Sequence, residues 1–284
     1  MSAHAPVVAA TAATLLFVPG DRPERFAKAV AAGADLVVLD LEDAVASADK
    51  AAARVAVTDW LATATGACAV RINADPAERA ADVAALAALP ASTPVTVVVA
   101  KAEQPGDLAA LLAALPAGST AVALVETARG VLAAAALAEV PGVVRLAIGT
   151  FDLAAELGID PEDDEALAPS RGALVLASAA AGLAGPVDGV TGAVDDAELL
   201  TADTTRSRRR GFAGKLCIHP RQVPVVRAGF APSAAEVAWA ERVLASAQDG
   251  ALAVVDGRMV DKPVVDRARR VLAASKTSEN EEKR

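Results

Sequence analysis

Apolar residues fall into short, nearly unbroken blocks separated by longer alanine-rich stretches. The blocks are TLLFVP (14–19), DLVVLDL (35–41), ACAVRIN (67–73), PVTVVVAK (94–101), TAVALVE (120–126), VVRLAIG (143–149), GPVDGV (185–190) and GKLCIH (214–219). Their length and β-branched content predict strands, and their continuous apolarity predicts burial on both faces. Stretches such as PERFAKAVAAG and VLAAAALAEV between them read as helices. Alternating β and α with buried strands implies an α/β protein with a parallel sheet, and eight units at this length favour a (β/α)8 TIM barrel. A doubly wound open sheet is the alternative, weakened by the lack of a G-x-G-x-x-G after the first strand. The barrel is expected over residues 14–230, after a flexible N-terminus (1–13). A C-terminal helical extension (231–274) and a disordered polar tail (275–284) are expected to follow it.

Polar residues gather where the predicted strands end. The first strand runs into Pro19-Gly20-Asp21-Arg22, the second into Asp40, Glu42 and Asp43, and the third into Arg71 and Asn73. The fourth ends at Lys101, the fifth at Glu126, the sixth just before Asp152 and the eighth at His219. In a barrel these ends share one face, where active sites are built; the opposite ends are mostly Gly, Ala, Pro and Thr. Strands must end in polar residues somewhere, but here the charge is one-sided.

Glu126 and Asp152 each stand alone after an apolar strand. Two carboxylates without a histidine cluster suit Mg2+, which takes one or two protein carboxylates and leaves its other positions to water and substrate. The competing reading is a charge at a helix N-terminus, above all for Asp152 at the head of DLAAELG. Asp40, Glu42 and Asp43 read as an outer shell that accepts hydrogen bonds from metal-bound water and from Arg71. The fork of Arg71 suits a substrate carboxylate, or equally a structural pair with the same acids. PGDRPERFAK reads as a helix start, with Asp21 as N-cap and Glu24 closing a capping box. Arg22, Arg25 and Lys28 on its first turns would meet an anion such as a nucleotide phosphate, or simply solvent. RSRRRG (206–211) closes a helix C-terminus. Lys101 suggests a Schiff-base lysine only weakly, because so many carboxylates keep it charged and paired.

Composition narrows the partners. Formal net charge is −9 and aromatics are 2%, which disfavours duplex DNA and stacking on single strands. Cys68 and Cys217 lie far apart in apolar runs, as expected of buried free thiols in a cytoplasmic protein. No signal peptide or membrane span is expected.

LFVPGDRPERFAKA, LDLEDAV, VRIN, LVETARG, GTFDLAAELG, GFAGKLCIHPRQV and VDGRMVDKPVVDRA stand in this order. With them the chain resembles the citrate lyase β-subunit-like proteins of the HpcH/HpaI aldolase superfamily, which include the malyl-CoA and citramalyl-CoA lyases. The resemblance covers about Thr14 to Leu272. It implies a TIM barrel, a homotrimer or hexamer, and a Mg2+-dependent carbon–carbon lyase acting on a CoA thioester. The reaction would release acetyl-CoA and a 2-oxoacid such as pyruvate or glyoxylate.

By motif, Glu126 and Asp152 match metal ligands, Arg71 the holder of the oxoacid carboxylate, and Phe151 a neighbour in the substrate pocket. Phe17, Arg22 and Lys28 match CoA contacts, and Ile218 and His219 match a segment lining the thioester arm. Asp261 matches a catalytic acid/base that a C-terminal lid delivers, often into a neighbouring subunit. The forms VVVAKAE and VTGAVDDAELL depart from the family pattern and leave the acyl group open. A citrate lyase β subunit working on an acyl carrier, a metal-dependent aldolase on free hydroxy-oxoacids, and a non-catalytic scaffold are the other readings.

Overall fold

The computed structural model describes residues 5–63, 66–246 and 253–282, with side chains over 8–63, 66–246 and 254–275. It divides into two compact units, Met1–Gly229 and Phe230–Arg284.

In the first unit eight parallel strands close in chain order: β1 (Thr14–Pro19), β2 (Leu36–Asp40), β3 (Cys68–Ile72), β4 (Thr96–Val99), β5 (Thr120–Val125), β6 (Val143–Ile148), β7 (Val187–Asp188) and β8 (Gly214–Cys217). β8 pairs back onto β1, with Leu216 opposite Leu15 and Cys217 opposite Leu16. That closure excludes the open sheet. β7 keeps only two residues because its flanks do not extend it. Pro186 has no N–H to give, and Gly189 lies so close to Thr150 that a Cβ would collide with the hydroxyl.

Helix α1 (Ala5–Thr11) precedes the barrel. The barrel helices are α2 (Phe26–Ala31), α3 (Lys50–Thr63), α4 (Pro76–Ala87), α5 (Pro105–Ala114), α6 (Ala128–Ala138), α7 (Thr150–Leu157), α8 (Ala168–Ala180), α9 (Ala197–Arg210) and α10 (Gln222–Phe230). Several starts are capped as their sequences suggest. Asp75 accepts from the amides of Ala77 and Glu78, Thr127 from Gly130, and Asp196 from Leu199. The capping box expected at Asp21 does not form. The N–H of Arg22 is taken by the Pro19 carbonyl, Pro23 has none, and a single 3-10 turn over Pro23–Arg25 precedes α2. α9 ends as expected, with Arg208, Arg209 and Arg210 in its last turn and Gly211 in the left-handed conformation.

Leu15, Leu36, Val38, Val98, Val122 and Leu216 fill the barrel interior. Where a flexible arm is expected, α1 forms, and Ala9 and Ala12 join that core. Charges pin this end of the barrel. Buried Arg145 donates to the carbonyls of Ala12 (2.7 Å) and Gly185 (2.9 Å), and Asp35 accepts from the amides of Ala13 and Thr14. Residues 1–4 of the expected arm lie outside the described chain. Cys68 and Cys217 are free and buried.

The second unit contains α11 (Ala234–Ser246), the hairpin β9 (Ala253–Val255) to β10 (Arg258–Val260), and α12 (Lys262–Glu282). Asp256 and Gly257, with φ of 51° and 75°, form the two-residue turn, as a D-G pair between apolar runs favours. Ala240, Val243, Val260 and Ala268 form its core, and the Arg267 guanidinium lies 4.8 Å from the Trp239 ring centre. α12 runs through most of the segment expected to be a disordered tail; residues 283–284 lie outside the described chain. Among the described residues no helix is long and apolar enough to cross a membrane.

Candidate active site

At the carboxyl ends of the strands a cavity of about 400 Å³ is lined by Phe17, Asp40, Arg71, Glu126, Phe151 and Asp152, among others. Ile218, exposed after β8, also lines it.

Asp40 ends β2 and is buried. Its Oδ1 accepts from Arg71 Nε at 2.7 Å and its Oδ2 from Arg71 Nη2 at 2.5 Å. The remaining nitrogen, Nη1, is 3.2 Å from Glu42 Oε2 and 3.6 Å from Asp43 Oδ2. The Arg71 guanidinium also lies 5.0 Å from the Phe17 ring centre. The expected pairing of Arg71 with all three acids is therefore present: Asp40 takes the Nε–Nη2 edge of the fork, and Glu42 and Asp43 lie against Nη1. Burial opposes the charge on Arg71, but Asp40 above all, then Glu42 and Asp43, hold it firmly protonated.

Glu126 follows β5 and is 3% exposed. Its Oε1 accepts from the Lys101 amide at 2.9 Å. Gly149, after β6, has to be glycine, because a Cβ there would collide with Glu126 Oε2. Burial, then repulsion by Glu42 and Asp152, pushes the Glu126 carboxyl up to about 8; the Lys101 amide and Arg71 pull the other way. Asp152 sits in the first turn of α7, so its helix-start reading holds alongside its position on the cavity. Lys101 Nζ lies 3.5 Å from Asp152 Oδ1, the pairing the sequence suggests.

Glu42 is the third inward carboxylate. Its Oε1 accepts from the Ala74 amide at 3.2 Å, whereas Oε2 is buried and makes no hydrogen bond. Burial raises Glu42 to about 7; Arg71 opposes that shift, and Asp43 and Asp40 add to it. Oε2 has an ion-pair partner, Arg71 Nη1 at 3.2 Å, but no hydrogen bond.

Arg22, Lys28 and His219 are not among the residues that line this cavity. Arg22 is exposed and 3.8 Å from its neighbour Asp21, and Lys28 is exposed on α2. His219 follows Ile218 in the loop after β8, and its Nδ1 accepts from the Arg221 amide. Asp261, in the second unit, accepts from the Val264 amide at the start of α12. Arg206 and Arg210 of the basic run, with Arg171, gather on Asp164.

Two supports escape sequence reading. Lys50 Nζ donates to the carbonyls of Leu41 (2.8 Å) and Glu42 (3.0 Å) and to Asn73 Oδ1 (2.5 Å), fixing the ends of β2 and β3. Its clue is a cation on the first residue of α3, where the helix dipole disfavours it. Gln222 joins the loops after β7 and β8: its Oε1 accepts from the Ile218 amide and its Nε2 donates to the Thr191 carbonyl.

The family pattern for HpcH/HpaI aldolase/citrate lyase matches residues 13–220. The chain belongs to this family. It is 41% identical over 275 residues to a citrate lyase subunit beta-like protein of Mycobacterium tuberculosis, covering 93% of this chain and 96% of that one. It is 36% identical over 270 residues to a (3S)-malyl-CoA thioesterase of Cereibacter sphaeroides, covering 92% and 93% respectively. Among solved members of the family, CitE of M. tuberculosis in complex with magnesium, acetoacetate and coenzyme A superposes with a TM-score of 0.81 at 38% identity. That match covers 94% of this chain and 98% of CitE.

Proposed function

We propose that the chain is a Mg2+-dependent lyase that reversibly cleaves a 3-hydroxyacyl-CoA such as malyl-CoA or citramalyl-CoA. The observation that carries this reading is the convergence of Glu126 and Asp152 on one cavity beside Arg71. The magnesium and coenzyme A bound by CitE support it. The donors are all hard oxygens, and a buried glutamate raised to about 8 is one that a cation would re-ionise. Among the described residues no three His, Cys, Asp or Glu side chains form a closed metal cage. An open site held by one or two carboxylates is what Mg2+ chemistry with a chelating substrate needs.

Glu126 and Asp152 would hold the ion, which supplies Lewis acidity to the substrate hydroxyl and the carboxylate beside it. Glu42 and Asp43 would accept from the surrounding waters, while Asp40, whose oxygens are taken by Arg71 and two backbone amides, would act by holding Arg71. Arg71 would turn the Nη1 side of its fork, which faces Glu42 and Asp43, to the substrate carboxylate and fix its orientation. A water in the cavity takes the hydroxyl proton, and the oxygen's electron pair closes to the oxoacid carbonyl as the C–C bond breaks. The C–C bonding pair passes to the thioester as an enolate, which Asp261 protonates on carbon. Phe17, Arg22, Lys28, Ile218 and His219 would receive the CoA, and a homotrimer or hexamer would bring in Asp261 on its lid.

The thioesterase relative favours a second reading, hydrolysis of the thioester. Incubation of the purified chain with Mg2+ and malyl-CoA or either citramalyl-CoA enantiomer separates the two. Acetyl-CoA plus an oxoacid identifies the lyase, and free CoA plus a hydroxydiacid identifies the hydrolase. No product from any of them would sink both readings.

Two further outcomes are expected. Asp261→Asn should reduce turnover by roughly a hundredfold or more while calorimetry finds Mg2+ binding unchanged; full turnover would refute the lid assignment. Mg2+ affinity should also rise with pH. Below about 8 a proton has to leave Glu126 for the ion to bind, so affinity should gain up to about tenfold per pH unit and level off above that point. A profile flat from pH 6 to 9 would contradict the assignment of Glu126.

A further inference from the structure

Lys101 follows β4 with φ of +48°, in the left-handed region, where a Cβ is disfavoured. Among the described residues the only other non-glycine there is Asp256, in the β9–β10 turn. Unusual backbone held in place against two carboxylates of a site points to a role. The turn gives Lys101 two contacts at once: its amide donates to Glu126 Oε1 at 2.9 Å, and its ammonium lies 3.5 Å from Asp152 Oδ1. One residue thus touches both carboxylates that the proposed reading assigns to the cation, one through a neutral dipole and the other through a full charge. Lys101 and Asp152 side chains are 45% and 40% exposed, so their pair is screened and easily exchanged. Burial opposes the ammonium, but Asp152 foremost, then Glu126 and Glu42, more than offset that and keep it charged.

An ammonium on Asp152 and a divalent ion on the same carboxylate repel each other. We infer that Lys101 is a competitor built into the site, and that its ammonium weakens the chain's own grip on a divalent cation while its amide holds Glu126 in position. Firm retention of the ion then depends on the extra anionic oxygens of the substrate, so ion and substrate are held together and released together. This rests on the proposed assignment of Glu126 and Asp152.

The test is calorimetric titration of Mg2+ alone into the full chain and into Lys101→Met, Lys101→Gln, Lys101→Arg and Glu126→Gln. Met and Gln keep the amide and remove the charge. Both should bind Mg2+ at least about fivefold more tightly than the parent, and Arg should stay within about twofold. A purely structural lysine would give unchanged or weaker binding on removal. Unchanged or weaker binding in Lys101→Met and Lys101→Gln overturns the inference, provided Glu126→Gln loses binding. If Glu126→Gln binds like the parent, the metal assignment itself falls.

Discussion

Asp152→Asn is expected to lower turnover about a thousandfold and to remove measurable Mg2+ binding together. Asparagine preserves the size of the side chain and its place in the first turn of α7, so the fold should tolerate the change. Asp152 is partly exposed, and the hydrogen bond fixing Glu126 comes from Lys101. What is lost is one of the two carboxyl groups that face the cavity after β5 and β6. A carboxylate that only complemented the helix dipole would be worth about 0.3–1 kcal/mol, and its loss would leave metal binding and chemistry intact. Calorimetry with Mg2+ and a turnover assay on the same preparation decide between these. Loss of turnover with Mg2+ binding retained would place Asp152 at the substrate instead of the ion.

Much of this site is legible in the chain because a barrel turns a one-dimensional pattern into a three-dimensional one. Each buried strand is an apolar block, and whatever polar residue follows it lands on the same rim. Glu126, Arg71, Asp40 and Asp152 can therefore be placed without coordinates. What stays hidden depends on partners distant in sequence or on backbone angles. Alanine-rich α1 has little to distinguish it from a loose arm. Its seating depends on Arg145, a lone cation inside the apolar block VVRLAIG that reaches back 133 residues to the Ala12 carbonyl. The left-handed turn at Lys101 and the grip of Lys50 on three oxygens leave no periodic trace. The capping box at Asp21 fails for a local reason, since Pro23 and the turn before it leave the expected geometry no room. The β9–β10 hairpin was readable: its D-G lies between AVV and RMV.

Asp40→Asn should be the costliest single change at the rim, destabilising the fold by about 3–5 kcal/mol in urea denaturation. Both oxygens of this buried carboxylate accept two donors. Oδ1 takes Arg71 Nε and the Glu42 amide (2.9 Å), and Oδ2 takes Arg71 Nη2 and the Ala44 amide (3.3 Å). An asparagine has only one acceptor oxygen. In either orientation its NH2 therefore faces two N–H groups, and one edge of the Arg71 fork is left buried without a counter-charge. Asp43→Asn is the internal control, because that side chain is 69% exposed and only 3.6 Å from Arg71; it should cost less than about 1 kcal/mol. The same substitution tests the proposed work of Arg71. Once released from Asp40, the guanidinium can swing toward Glu42, whose carboxyl loses one of the charges that raise it. The substrate carboxylate then meets a mobile cation where a fixed one is required, so KM should rise about tenfold or more. A loss of stability with KM unchanged would make Asp40–Arg71 a purely structural pair and leave the oxoacid carboxylate to another group.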